Sequence, residues 1–134
     1  MILESGTWRM KRSILFDVNS VKFLDSSLRD KLASTEFINA QINDVLIDEK
    51  SQTTNLQLFI RYAQNYIKTK KAVRIKRYPF LIRALKHSPK GLPVEFYVFA
   101  KVSSWEKFEK LQTDIMIHLF ATLQHFDLIT FQDD

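Results

Sequence analysis

Apolar and polar positions along this chain follow two periods, the two-residue repeat of a strand and the three-to-four-residue repeat of a helix. From Arg9 to Asn19 the run RMKRSILFDVN turns apolar and β-prone after a basic start, which predicts a strand over Lys11–Val18. Asp25 or Ser26 is placed to cap a short helix whose Leu28 and Leu32 share one face. A second helical stretch follows from about Glu36 to Asp48, with Ile38, Ile42, Val45 and Leu46 as its apolar stripe. The polar run Asp48–Thr54 reads as a loop. Asn55 then caps a third helix, in which Phe59, Tyr62, Ala63 and Tyr66 recur at helical intervals. Pro79 forbids a helix continuing straight through it.

The span Phe80–Gln132 is the best defined. FLIRALKH reads as a strand and Ser88-Pro89-Lys90-Gly91 as a turn, with Pro at the first turn position and Gly tolerant of positive φ. In the next strand Val94, Phe96 and Val98 point one way and Glu95, Tyr97 and Phe99 the other. Both sets carry apolar residues, so this strand is expected to be central. Ser103 with Glu106 makes a capping-box pattern ahead of a long helix. Its apolar face is Trp105, Phe108, Leu111, Ile115, Leu119, Leu123 and Phe126, with Met116, Ile117 and Phe120 partly off it. That is more apolar surface than one sheet covers, which points to a subunit contact. The run DLITFQ closes the chain as a last short strand. The order predicts an α+β fold, a split β-α-β (ferredoxin-like) antiparallel sheet with helices on one face. Its first crossover is expanded by a helical insertion over residues 36–70.

Length and composition narrow the class. The chain has 134 residues, enough for one domain with a real core, and 46% of them are hydrophobic, too many for a disordered chain. With 2 Gly and 3 Pro, turns are few and elements long, against an all-β sandwich. The absence of cysteine excludes disulfides and thiolate metal sites. No apolar run reaches the ~18–20 residues of a membrane helix, and MILESG reads as the abrupt start of a soluble fragment rather than a signal peptide. The formal charge of +5 favours acidic partners. Much of it is local: Lys68, Lys70, Lys71, Arg74, Lys76 and Arg77 form one basic run, whose simplest role is a solvated connector.

Candidate chemistry is sparse. Asp114 and His118 stand four apart on one helix, with His125 two turns on, but zinc needs three or four converging ligands. A hydrogen-bonded Asp114–His118 pair is the expectation. His87 reads as a solvated edge residue. No glycine-rich phosphate loop and no nucleophile–base–orienter triplet occurs, so no enzyme, cofactor or metal site is expected. The glycine-punctuated strands of an RNA-recognition sheet are also missing, and Tyr97 and Phe99 read as core or interface packing. No nucleic acid is expected as partner.

One further pattern spans nearly the whole chain. Gly91-Leu92-Pro93 precedes Tyr97 and Phe99, then Trp105, then a helix carrying Glu109, Gln112, Asp114, Ile115, His118, Phe120 and Ala121, followed by Phe126 and Leu128. Upstream stand Ser5-Gly6, Lys11-Arg12-Ser13-Ile14, the run SVKFL over Ser20–Leu24, and Thr54-Asn55 with Phe59 and Tyr62. In this order these residues resemble the C-terminal cytoplasmic region of the small-conductance mechanosensitive channel family, in its miniconductance subgroup. Residues 37–53 depart from the subgroup. The resemblance implies a non-catalytic cage module of a tension-gated ion channel acting in osmotic stress. Residues 1–9 would be the tail of a preceding β domain, and 10–134 the C-terminal cytoplasmic α/β domain. It implies a homo-oligomer, a heptamer, in the inner (plasma) membrane, spanned by transmembrane helices before this chain. The basic run would then be vestibule charge facing permeating ions, and Trp105, Asp114, His118 and Phe120 structural or interface residues. The alternative is a stand-alone ferredoxin-like regulatory module that binds a small ligand or nucleic acid.

Overall fold

The computed structural model describes residues 3–47 and 52–132. In chain order it has β1 (Thr7–Phe16), α1 (Ser26–Ser34), α2 (Glu36–Leu46), α3 (Asn55–Lys68), β2 (Val73–Arg74), β3 (Leu81–Ala84), β4 (Leu92–Lys101) and α4 (Trp105–Thr122). Short 3₁₀ turns lie at Val18–Ser20 and Leu123–Phe126. Asp48, expected to end the second helix, and residues 49–51 of the expected loop lie outside the described residues, as do Met1, Ile2, Asp133 and Asp134.

The fold is α+β, a four-strand antiparallel sheet with helices. β4 is its central strand. On one side it pairs along its whole length with β1, from Thr7 opposite Lys101 to Phe16 opposite Leu92. On the other side it pairs with β2 (Val73 opposite Ala100) and with β3 (Leu81 opposite Tyr97 to Ala84 opposite Val94). Between β2 and β3 the chain leaves the sheet at Ile75–Phe80 and returns to the same edge.

The register places Met10, Ile14 and Phe16 beside Val98, Val94 and Leu92 on one face of the sheet. Edge-to-face contact of Phe16 with Phe59 of α3, centroids 5.7 Å apart, and stacking of Trp8 on Phe108 of α4 at 5.7 Å put both helices on that face. Phe96, Phe59, Tyr62, Ile115, Leu119 and Phe126 complete the buried centre, while Leu28, Leu32, Ile38 and Ile42 bury the inward faces of α1 and α2. The burial of these aromatic and aliphatic side chains supplies the main driving force, at roughly 25 cal/mol per Å² of apolar area removed from water.

Several expected boundaries move. β1 starts at Thr7 rather than Lys11, because β4 is long enough to offer Thr7, Trp8 and Arg9 ladder partners. The domain boundary expected between residues 9 and 10 therefore falls inside a strand. β1 also stops short of Val18: Asp17 turns the chain, its carboxylate accepting from Asn19 N at 2.9 Å. FLIRALKH keeps strand geometry only over Leu81–Ala84.

The closing run DLITFQ is not a strand but a single bridge, Thr130 to Phe16. Asp127, in the left-handed region at φ 57°, delivers the chain only to the end of β1. There Phe131 N donates to Leu15 O at 2.9 Å and Asp17 N to Ile129 O at 2.8 Å.

Caps follow backbone geometry. Asp25 caps α1 by accepting from Leu28 N at 2.8 Å. For α3 the cap is Thr54, in a reciprocal capping box with Gln57, and the expected cap Asn55 is the first helical residue. For α4 it is Ser104, held extended and accepting from Lys107 N at 3.2 Å, so the Ser103–Glu106 box does not form. The hairpin turn stands as read: Ser88 and Gly91 exchange backbone bonds, both 3.0 Å. Gly91 sits at φ +121°, and a Cβ there would lie 2.6 Å from Phe16 O, so no other residue fits without moving β1.

Candidate functional site

The basic run begins in the last turn of α3 and follows the chain out of the sheet. Lys68 lies over the Phe80 ring at 5.4 Å and Lys70 over the Tyr66 ring at 4.9 Å. Arg74 on β2 donates to Lys71 O at 2.7 Å. Lys76 and Arg77 occupy the exposed excursion, with Arg77 at φ 69°. Among the described residues none of these six cations enters an ion pair. They form an uncompensated positive ridge along one edge of the sheet, with Lys68 and Lys70 also covering aromatic rings.

His118, on α4, meets that ridge. The expected Asp114–His118 pair is absent: Asp114 faces solvent and bonds Lys110 at 2.8 Å, one turn back. His118 turns the other way, toward α3. Its Nε2 lies 2.6 Å from the Tyr62 hydroxyl, and its ring stacks on Tyr66 with centroids 3.8 Å apart and planes 8° from parallel. Phe37 of α2 closes the cluster edge-on, at 6.3 Å from His118 and 5.7 Å from His125.

Burial lowers the His118 pKa, and the Lys70 charge lowers it further. Burial, followed by the neighbouring Tyr66, pushes the Tyr62 phenol up to about 12. Both groups are thus neutral near pH 7, and the consistent assignment is the Tyr62 hydroxyl donating to His118 Nε2. The cluster gathers two imidazoles, His118 and His125, and two phenols, Tyr62 and Tyr66, around Phe37. It clamps α2, α3 and α4 together. Among the described residues no three His, Asp or Glu side chains gather as a metal would require.

The other expected interface residues point outward. Trp105 is 56% exposed at the start of α4, and Ile117 and Phe120 are 63% and 47% exposed along its outer side. Met116, by contrast, is buried, so the apolar face of α4 is rotated from the one the spacing picks out. Phe99 is 2% exposed although it lies on the sheet face away from the helices. Tyr78 of the excursion stacks on it at 5.2 Å, and the Tyr78 hydroxyl accepts from Glu4 N at 3.4 Å. Leu3, Arg9, Tyr97 and Phe99 line a cleft of about 530 Å³ on this face.

Two residues matter more than their sequence context signals. Asn55 is fully buried: its amide nitrogen donates to Ser20 O at 3.0 Å and Phe126 O at 2.9 Å, and its oxygen accepts from Lys22 N at 3.0 Å. Asp127 receives Lys31 at 2.7 Å and Lys22 at 3.0 Å, and those bonds, Lys31 foremost, hold its carboxyl below the usual carboxylate range. The polar pair Thr54-Asn55 at a helix start was a visible signal for the first; nothing local marks the second. Among the described residues no helix is long and apolar enough to cross a membrane. No known protein-family model matches the chain.

Proposed function

We propose that the chain is the cytoplasmic α/β domain of a mechanosensitive ion channel of the small-conductance family, serving as assembly surface and vestibule wall. The observation that carries the reading is the outer side of α4. This helix buries Phe108, Ile115 and Leu119 within the chain, yet leaves Trp105, Ile117 and Phe120 in solvent. Apolar residues on the outside of a helix that already has a buried face fit contact with a neighbouring subunit. Residues of the resemblance also sit where the backbone is most demanding: Gly91 admits no side chain, and His118 holds two helices through Tyr62 and Tyr66.

In this reading the fold is a split β-α-β arrangement in which β2 and β3 act as one interrupted strand and α1–α3 expand the first crossover. The chain works as a homo-oligomer, a heptamer, on the cytoplasmic side of the inner membrane, joined to transmembrane helices before it. The unpaired ridge Lys68, Lys70, Lys71, Arg74, Lys76 and Arg77 lines the route of permeating ions. It raises local anion concentration over the ~8–10 Å that salt leaves unscreened. Patch-clamp recording of the full-length protein tests this. Stretch should evoke a current, and changing the six cations to Gln should shift selectivity toward cations. A patch without stretch-activated current overturns the reading, whereas an unchanged selectivity removes only the role of the ridge.

The cleft at Leu3, Arg9, Tyr97 and Phe99 favours a second reading, a ferredoxin-like regulatory module that binds a small ligand. Stretch-activated current in the first experiment decides between them.

A further inference from the structure

β1 has one edge on β4 and the other almost bare. Leu15 O and Asp17 N bond the closing segment, so the odd-numbered residues of β1 direct their backbone groups away from β4. Thr7 N is used by a turn, to Glu4 O at 3.0 Å. Between these ends Arg9, Lys11 and Ser13 have no backbone partner on the free side among the described residues. A bare edge of this length is a template for another strand.

Its side chains say which strand. On the face away from the helices Arg9 and Lys11 stand two positions apart, about 7 Å along the strand, and neither enters an ion pair among the described residues. Arg9 lies over Tyr97 at 5.8 Å, and Lys11 is exposed. On the helix face the same edge presents half-buried Trp8, stacked on Phe108, ahead of Arg12, which reaches Glu109 at 3.6 Å. A second β1 is a poor occupant in an antiparallel pair of copies, because registers centred on this stretch set Arg9 opposite Lys11 of the other copy, or Lys11 opposite its own counterpart, with like charges across the seam.

We infer that the free edge of β1 from Thr7 to Ile14 is a docking site for an extended segment of another polypeptide in which acidic and apolar residues alternate. The segment adds as a strand. Its backbone pairs with Arg9, Lys11 and Ser13, its carboxylates lie opposite Arg9 and Lys11, and its apolar residues turn toward Trp8. Thr130 at Phe16 closes one end of the edge and limits how far the segment runs. The inference stands apart from the channel reading.

The test uses a labelled peptide, acetyl-Glu-Val-Glu-Val-Glu-Val-Glu-amide, with the 134-residue chain. Anisotropy should report saturable binding, and hydrogen exchange at the amides of Arg9, Lys11 and Ser13 should slow when it binds. Arg9→Glu with Lys11→Glu should weaken binding by roughly tenfold or more. Lys11→Pro, which removes an edge N–H without breaking the β1–β4 ladder, should weaken it while the circular dichroism spectrum stays unchanged. The same peptide N-methylated at alternate residues should not bind. Equal binding of the N-methylated peptide would mean charge attraction without strand addition and overturns the inference. So does an absence of binding, which would leave these cations as guards against edge-to-edge aggregation.

Discussion

α3 and α4 start alike and end differently. Each opens on a hydroxyl cap, and each carries more apolar residues than a purely solvated helix needs. In α3 Leu56, Leu58, Phe59, Tyr62, Ala63 and Ile67 are buried and Ile60 and Tyr66 half-buried, so none of its apolar positions is exposed. In α4 they divide: Phe108, Ile115, Met116 and Leu119 are inside while Trp105, Ile117 and Phe120 remain in solvent. The two helices meet at Tyr62 and His118, so the division is not a matter of distance from the core. One helix keeps its apolar side chains out of solvent within the chain, and the other leaves three of them in it.

The sharpest way to break this contrast is to truncate one buried and one exposed aromatic of comparable size. Phe59→Ala removes a ring that contacts Phe16 and Phe126 at 5.7 and 5.6 Å, and should cost about 3–5 kcal/mol in urea unfolding. A loss below about 1 kcal/mol would mean that α3 is far less tightly packed than its burial implies.

The junction between the helices should respond less. Tyr62→Phe keeps the ring and deletes the donor to His118, for an expected loss of about 1–2 kcal/mol. The same junction gives a pH dependence. The unfolded chain takes up the His118 proton near the ordinary value of 6.5 and the folded chain only at lower pH. Between the two the unfolded state binds more protons, so stability is full above 6.5 and falls as pH drops through the lowered folded value. Urea midpoints measured from pH 8 to 5 should show this slope, and His118→Gln should flatten it.

The smallest effect belongs to the outer side of α4. Phe120→Ser should leave unfolding stability within about 0.5 kcal/mol, because little packing is lost. Under the proposed channel assembly, the same change should reduce the assembled fraction of the full-length protein seen by sedimentation. A large stability loss in the isolated chain would place Phe120 in the core and remove its interface role.

How much of this was legible follows the range of the interactions. Leu28 with Leu32, and Ile38 with Ile42, announce their helices because the repeat is local and the buried face is where the spacing puts it. Gly91 is equally plain, since the turn needs positive φ there. The caps were legible only to one residue: Ser103 and Ser104 are chemically equivalent, and the extended backbone at Ser104 decides between them. Asp114 and His118 show the harder limit. Helical spacing brings the two side chains onto one side of α4, but Tyr62 and Tyr66 come from another helix, and a hydrogen bond to the first with stacking on the second holds the imidazole away from Asp114. The run DLITFQ has strand composition, yet pairing depends on where Asp127 delivers it. The surplus at Ile117 and Phe120 was visible off the expected face, whereas the exposure of Trp105, which the spacing put on that face, and the burial of Met116 were not.

The excursion between β2 and β3 has a consequence for engineering. Val73 opposite Ala100 and Leu81 opposite Tyr97 pin the chain to the same neighbour on both sides of it. Extra residues there accumulate outside the sheet, and the alignment of the strands does not depend on how many there are. A reporter peptide grafted between Lys76 and Arg77 would therefore be carried on a bracket anchored at both feet, with the Tyr78 ring on Phe99 as its inner hold. The excursion is a socket in which length is free and only the two footings are specified.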